Sequence, residues 1–385
     1  MPTTKTKNIL YRLALPVLAP AVSSDPLAFS SGHIIHTVSE LNHLIRKNHI
    51  SGGAFFFQHD AKCAEVFSHA FHTEKIPDRN TYYRVASITK MATALVAVRL
   101  MDQGIVDPLC PVEEILSSRS SIPELKGVTI QHLLSHTSGL SDPPMLEKLT
   151  NQHLPFSQVV AGCRFQEPGK VFRYSNLGFG LLGCLFECLL NESVEKIFRR
   201  FLFDPLHMNA TLEAASVPED MIMPIVRILP YHKENLVIKT TLGSIPINRP
   251  DPDYHYGYTA GSLYSDLPSL AGLLTCIRDH GTPLLSEQYG NYMLRQSASY
   301  GSLSPTLSYG HGLLIIRDPR LSAGPVFGHQ GFAYGCVDGA FWNDDTGDLM
   351  ISLNGGCSEA RTGRLGIANF RMCQWSFRKE LPLWK

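Results

Sequence analysis

Ser87-Ile88-Thr89-Lys90 opens an apolar run: Val85 and Ala86 precede it, and Met91, Ala92, Ala94, Leu95, Val96, Val98 and Leu100 follow with no proline or glycine before Gly104. That pattern predicts a helix over 87–103. Residues three apart share a helix face, so the Ser87 hydroxyl would lie beside the Lys90 amine. Serine is a poor nucleophile at neutral pH, and a desolvated lysine is one base able to take its proton. Alone the motif is weak, because Ser-x-x-Lys recurs by chance and an ordinary helix start is its commoner source.

Two later stretches change its weight. Tyr174-Ser175-Asn176 follows the turn Pro168-Gly169 and precedes an apolar segment, 177–190, that reads as a buried helix. The Tyr174 phenol and Asn176 amide therefore fall at a loop-to-helix junction, where an anchoring aromatic and a helix cap are the plainer readings. Further on, Gly328-His329-Gln330-Gly331-Phe332 leads into Val337-Asp338-Gly339-Ala340-Phe341-Trp342. Glycine there would let a substrate approach strand backbone closely.

The order Ser-x-x-Lys, Tyr-x-Asn, His-x-Gly resembles the serine β-lactamase and penicillin-binding-protein superfamily, in its class C-like and esterase branch. Leu133-Leu134-Ser135-His136-Thr137-Ser138-Gly139-Leu140, Ala260-Gly261-Ser262-Leu263-Tyr264-Ser265 and Tyr309-Gly310-His311-Gly312-Leu313 are similar to other family phrases, so the likeness runs from about residue 38 to the C-terminus. It implies Ser87 as an acylated nucleophile, Lys90 as partner in its proton transfer and Tyr174 as general base and acid. It implies Asn176 as a residue that orients Lys90 and binds a substrate carbonyl. The backbone N–H groups of Ser87 and Phe332 would form the oxyanion hole, with His329 and Gly331 beside it.

One departure stands out. Where the drug-hydrolysing and cell-wall members carry Lys-Thr-Gly or Lys-Ser-Gly, this chain has His329-Gln330-Gly331. The family's lysine attracts a substrate carboxylate, whereas histidine would exert a weaker, pH-dependent pull. Neutral esters, amides or D-amino acid peptides are therefore expected before β-lactams, with Phe332 as an apolar wall.

Other chemistries lack support. Gly257-Tyr258-Thr259-Ala260-Gly261 has threonine where a nucleophile elbow needs serine, and no phosphate-binding glycine loop is present. His132 and His136, like His69 and His72, have no acidic or thiol partner at metal-ligand spacing and read as structural. No cofactor or metal is implied. Lysine plus arginine equals aspartate plus glutamate at 34 each, which argues against a nucleic-acid partner. Nine scattered cysteines fit reduced thiols in a cytoplasmic setting; Lys5, Lys7 and Arg12 before a short apolar stretch leave secretion as the alternative.

With 385 residues and 44% hydrophobic content, the chain can bury a large core. Strand-like segments at both ends with helices between them predict an α+β fold, in the resembling family an antiparallel sheet flanked by helices plus a mainly helical lobe. The expected division is an N-terminal extension, 1–34, and one catalytic domain, 35–385. Its sheet lobe would take 35–85 and 256–385, its helical lobe 86–255, with segments 145–154 and 221–255 as substrate loops. The expected activity is a serine hydrolase on an ester, amide or peptide. Acyl transfer by the same intermediate, or a silent binding protein of this fold, are the alternatives.

Overall fold

The computed structural model describes residues 27–30, 33–34, 39–69, 75–116, 122–144, 146, 154–228, 231–233, 247–302, 304–333 and 335–377, with positions 9, 13 and 14. Most of the signal-like stretch, segment 147–153 and most of 229–246 lie outside the described residues.

Two short strands, β1 (Leu27–Ser30) and β2 (His33–Ile34), precede helix α1 (Ser39–Lys47). The hairpin β3 (Gly53–His59) and β4 (Lys62–Ser68) follows, turning at Asp60 with φ 51. The sheet thus begins at Leu27, inside the stretch expected to be an extension. Alternation explains why β3 is apolar throughout: Ala54 and Phe56 enter the core cluster on one face, Phe55 and Phe57 that on the other.

The helix that follows Ser87, α2 (Thr89–Asp102), buries every residue except Arg99 and Asp102. It packs against α3 (Asn176–Leu190) and the short α4 (Tyr258–Gly261). A Cβ at Gly180 of α3 would collide with the Tyr256 carbonyl, which is why glycine stands where α4's segment crosses. Helix α5 (Leu267–Arg278) then covers one sheet face.

The C-terminal half completes the sheet with β5 (Ala298–Ser299), β6 (Leu307–Tyr309), β7 (Leu314–Ile316), β8 (Val326–Ala333), β9 (Cys336–Asn343) and β10 (Leu349–Asn354). The ten-stranded antiparallel order is β5-β6-β7-β8-β9-β10-β3-β4-β1-β2. Strand β10 from the chain's end joins β3 from its start, with Ile351 opposite Phe56. Helix α6 (Ile367–Ser376) packs with α1 on the face opposite α5, and Trp375 meets Phe57 edge-on at 5.1 Å. This is the antiparallel sheet with helices on both faces that the resemblance implies.

One expected element differs. The pattern predicts helix from about Arg364, but a hairpin of β11 (Arg361–Thr362) and β12 (Leu365–Gly366) comes first. Gly363, at φ 58, makes its turn, and helix begins only after Gly366.

Candidate active site

Ser87 does not lie on the α-helix itself. It occupies a 3₁₀ turn, Ala86–Ile88, that feeds into α2. Ala86 has φ 46, a left-handed conformation that costs a non-glycine residue about 1–3 kcal/mol. Tertiary bonds hold it there. Thr89 Oγ1 donates to the Ala86 carbonyl at 2.6 Å and accepts from Leu263 N–H at 3.1 Å, while Val85 N–H donates to the Leu263 carbonyl at 3.0 Å. Strand β8 closes the other side: a Cβ at Gly331 would strike the Val85 carbonyl. The close approach foreseen for a substrate at this glycine is thus taken by the protein's own backbone.

Lys90 is fully buried, and three acceptors surround its Nζ: Ser87 Oγ at 3.1 Å, Asn176 Oδ1 at 2.8 Å and the Ala260 carbonyl at 2.6 Å. Three acceptors match the three donors of an ammonium. The Tyr174 ring centre lies 4.9 Å from Nζ and the Phe179 ring centre 5.6 Å, favourable faces for a cation.

Tyr174 completes the group. Burial pushes its phenol above the ordinary range, and a side-chain hydrogen bond with Ser87 pulls in the opposite direction. Ser87, Lys90 and Tyr174 thus meet in one group, with Lys90 Nζ 3.1 Å from Ser87 Oγ and 4.9 Å from the Tyr174 ring centre. The ring is fixed by His136, whose centre is 4.3 Å away. His136 Nδ1 accepts the Ser175 backbone N–H at 3.1 Å, and burial holds its pKa well below the ordinary histidine value. His132 Nδ1 accepts the Thr129 N–H to cap its own helical turn, and no metal-holding cluster occurs among the described residues.

The sequence reading missed Asp142. Its Oδ1 accepts from Ser175 Oγ at 2.8 Å and Leu177 N–H at 2.9 Å, and its Oδ2 from the Asn176 N–H and Nδ2, each at 2.9 Å. A carboxylate at the start of α3 satisfies orphan donors and favours the helix dipole. The cap of that helix is Ser175, which accepts from Gly178 N–H, rather than Asn176. Asp142 follows the Ser138-Gly139-Leu140 turn, but nothing local in the sequence links it to a helix 34 residues on.

His329 is placed unlike its reading as a weak cation. It is 2% exposed; Nδ1 donates to the Gln330 carbonyl at 2.7 Å, so Nε2 accepts from the Tyr309 hydroxyl at 3.1 Å. Burial first, and Lys90 second, push its pKa down to about 3. Gln330 turns away to the β11–β12 hairpin, donating to the Arg364 carbonyl at 2.8 Å and accepting from Gly366 N–H at 3.0 Å. Phe332 is half-buried, with the Arg361 guanidinium 4.1 Å from its ring centre. Beyond Tyr174, the Tyr300 ring packs on Phe172 at 4.3 Å and has the Arg364 guanidinium 5.7 Å from its centre.

A family model described as Beta-lactamase matches residues 36–347. This chain belongs to the beta-lactamase family. Among curated relatives it is 30% identical over 178 residues to penicillin-binding protein 4* of Bacillus subtilis, an alignment covering 42% of this chain and 36% of that protein. With protein flp of Staphylococcus aureus (strain MRSA252) it shares 27% over 190 residues, 44% of this chain and 36% of the other. The match therefore spans about a third of each relative's length.

Solved structures extend the likeness in fold. A D-stereospecific amidohydrolase from Streptomyces sp. superposes with TM-score 0.63 at 22% identity, covering 82% of this chain and 92% of that one. For EstCE1, described as a hydrolase with promiscuous acyltransferase activity, the values are 0.66 and 19%, over 86% and 94%. Among the described residues of this beta-lactamase-family chain, no single helix is long and apolar enough to cross a membrane.

Proposed function

We propose that the chain is a serine hydrolase that forms an acyl-enzyme on Ser87 and acts on an ester or amide. The meeting of Ser87 Oγ at 3.1 Å and the Tyr174 ring centre at 4.9 Å around Lys90 Nζ carries this reading. In the first step Ser87 Oγ bonds to the substrate carbonyl carbon while its proton moves to an unprotonated Lys90 amine by way of the Tyr174 phenol, which gives up its own proton as it receives one, and the carbonyl electrons collect on oxygen. The backbone N–H groups of Ser87 and Phe332 receive that oxyanion. Collapse breaks the bond to the leaving group, which takes a proton from Tyr174 while Lys90 returns its proton to the phenol. Water then attacks the acyl carbonyl, its proton following the same path, and Ser87 leaves with a proton from Tyr174 as the acid is freed. Lys90, held by Asn176 and Ala260, is the base that stores the proton between the two halves of each step.

Intact-mass analysis after a fluorophosphonate tests the proposal. A single adduct on wild type that Ser87→Ala lacks is the expected result; equal labelling of both proteins overturns it. Acyl transfer to an alcohol or amine is a second reading, favoured by the likeness to EstCE1. Product analysis with added acceptor separates the two, since ester or amide products appear only if an acceptor competes with water.

A further inference from the structure

Glu187 is the one charged side chain of α3, and it has no exposed surface. Its Oε1 accepts from the Val194 N–H at 2.7 Å and from His255 Nδ1–H at 2.7 Å, and its Oε2 from the Asp251 N–H at 2.8 Å. The His255 side chain is likewise fully buried. We propose that Glu187 and His255 are positioning residues for Lys90: together they seat the segment that brings the Ala260 carbonyl to its Nζ. This rests on the hydrolase reading above and adds to it the groups that hold its base in place.

One face of α3 makes the seat. Gly180, Gly183 and Glu187 fall three and four residues apart, on the same side of the helix. A Cβ at Gly180 would collide with the Tyr256 carbonyl and one at Gly183 with the Thr259 side chain, so the two glycines admit the crossing chain. Glu187 pins the point where that chain arrives, at Asp251 and His255. From there the backbone runs straight into α4, with Tyr258 N–H donating to the His255 carbonyl at 3.4 Å. Two carbonyls of α4 then face α2: that of Thr259 accepts from Thr93 Oγ1 at 2.7 Å, and that of Ala260 from Lys90 Nζ at 2.6 Å. Burying a carboxylate costs free energy that a leucine in this apolar helix would not, and its three donors offset that cost. Displacing 251–255 therefore displaces the Ala260 carbonyl, one of the three acceptors that hold the amine beside Ser87. Glu187 and His255 act through Lys90.

The test measures p-nitrophenyl butyrate turnover and the rate of fluorophosphonate labelling on the full chain, with Lys90 and with Lys90→Ala. His255→Leu should lower kcat about tenfold to a hundredfold and leave KM within about threefold. His255→Asn, whose side-chain N–H can stand in for Nδ1–H, should recover most of that loss. Glu187→Gln keeps the shape of the side chain but sets its amide nitrogen against either the Asp251 or the Val194 N–H, and should lose kcat in the same way. In the Lys90→Ala background neither His255→Leu nor Glu187→Gln should cost more than about twofold, because the residue they act through is gone. Losses of equal size in both backgrounds, or an unchanged kcat in His255→Leu or Glu187→Gln, assign the pair to packing and overturn the positioning role. A wild type that forms no adduct on Ser87 sinks the hydrolase reading; adducts formed at the wild-type rate by both variants sink the positioning role alone.

Discussion

Asp142 Oδ2 accepts two hydrogen bonds from Asn176, one from its backbone and one from its side-chain amide, each at 2.9 Å. This settles the orientation of the amide, because Nδ2 toward Asp142 leaves Oδ1 toward Lys90. Asp142 thus positions the lysine without touching the serine. Asp142→Ala should lower kcat about tenfold to a hundredfold. It should also cost about 1–3 kcal/mol of stability, because it orphans donors at the start of α3. Esterase assays beside denaturant melts check both, and an unaltered kcat would contradict the positioning role.

Lys90→Ala and Tyr174→Phe should each lower kcat about 10²- to 10⁴-fold; Lys90→Ala should also cost about 1–3 kcal/mol of stability, because it orphans the Asn176 and Ala260 acceptors, whereas Tyr174→Phe should change unfolding little. As the two residues act on one proton, the double variant should cost scarcely more than the worse single. Full additivity of the two losses in kcat would show that they do not act as a unit.

His329 predicts a negative result. With its pKa near 3 and both ring nitrogens bonded, it changes charge nowhere between about pH 5 and 8. The pH profile of kcat/KM for His329→Gln should keep the wild-type shape across that range, whatever its height. A limb near pH 6.5 that the variant loses would refute this.

Acid stability follows from three buried histidines. His329 is held at about 3 and His311 at about 4 by burial, and His136 well below its ordinary 6.5. These folded values lie below the unfolded one, so the unfolded state binds more protons below about pH 6.5 and stability falls with pH. Each should contribute a slope of about 1.4 kcal/mol per pH unit between roughly pH 6 and its folded value. Denaturation midpoints at about pH 7 and 5 measure the sum, and His311→Gln should flatten the dependence.

Gly331→Ala places a methyl against the Val85 carbonyl. The strand or the Ser87 turn must give way, so activity should drop at least about tenfold even where the variant folds. Labelling by the fluorophosphonate should slow in step.

The sequence by itself determined the elements. Long apolar runs located α2 and α3 to within a few residues, because a helix buried on nearly every side is apolar nearly throughout. Three short motifs pointed to Ser87, Lys90 and Tyr174, the group proposed to act, because such chemistry needs particular residue types at fixed local spacing. What sits around them was decided only in three dimensions. Asp142 reaches Asn176 across 34 residues, Ala260 reaches Lys90 across 170, and neither separation leaves a periodic trace in the chain. The same holds for His329, whose residue type suggests a titrating cation. Its burial among Tyr309, Tyr174 and the neighbourhood of Lys90 makes it neutral, and burial of that kind belongs to packing between distant segments.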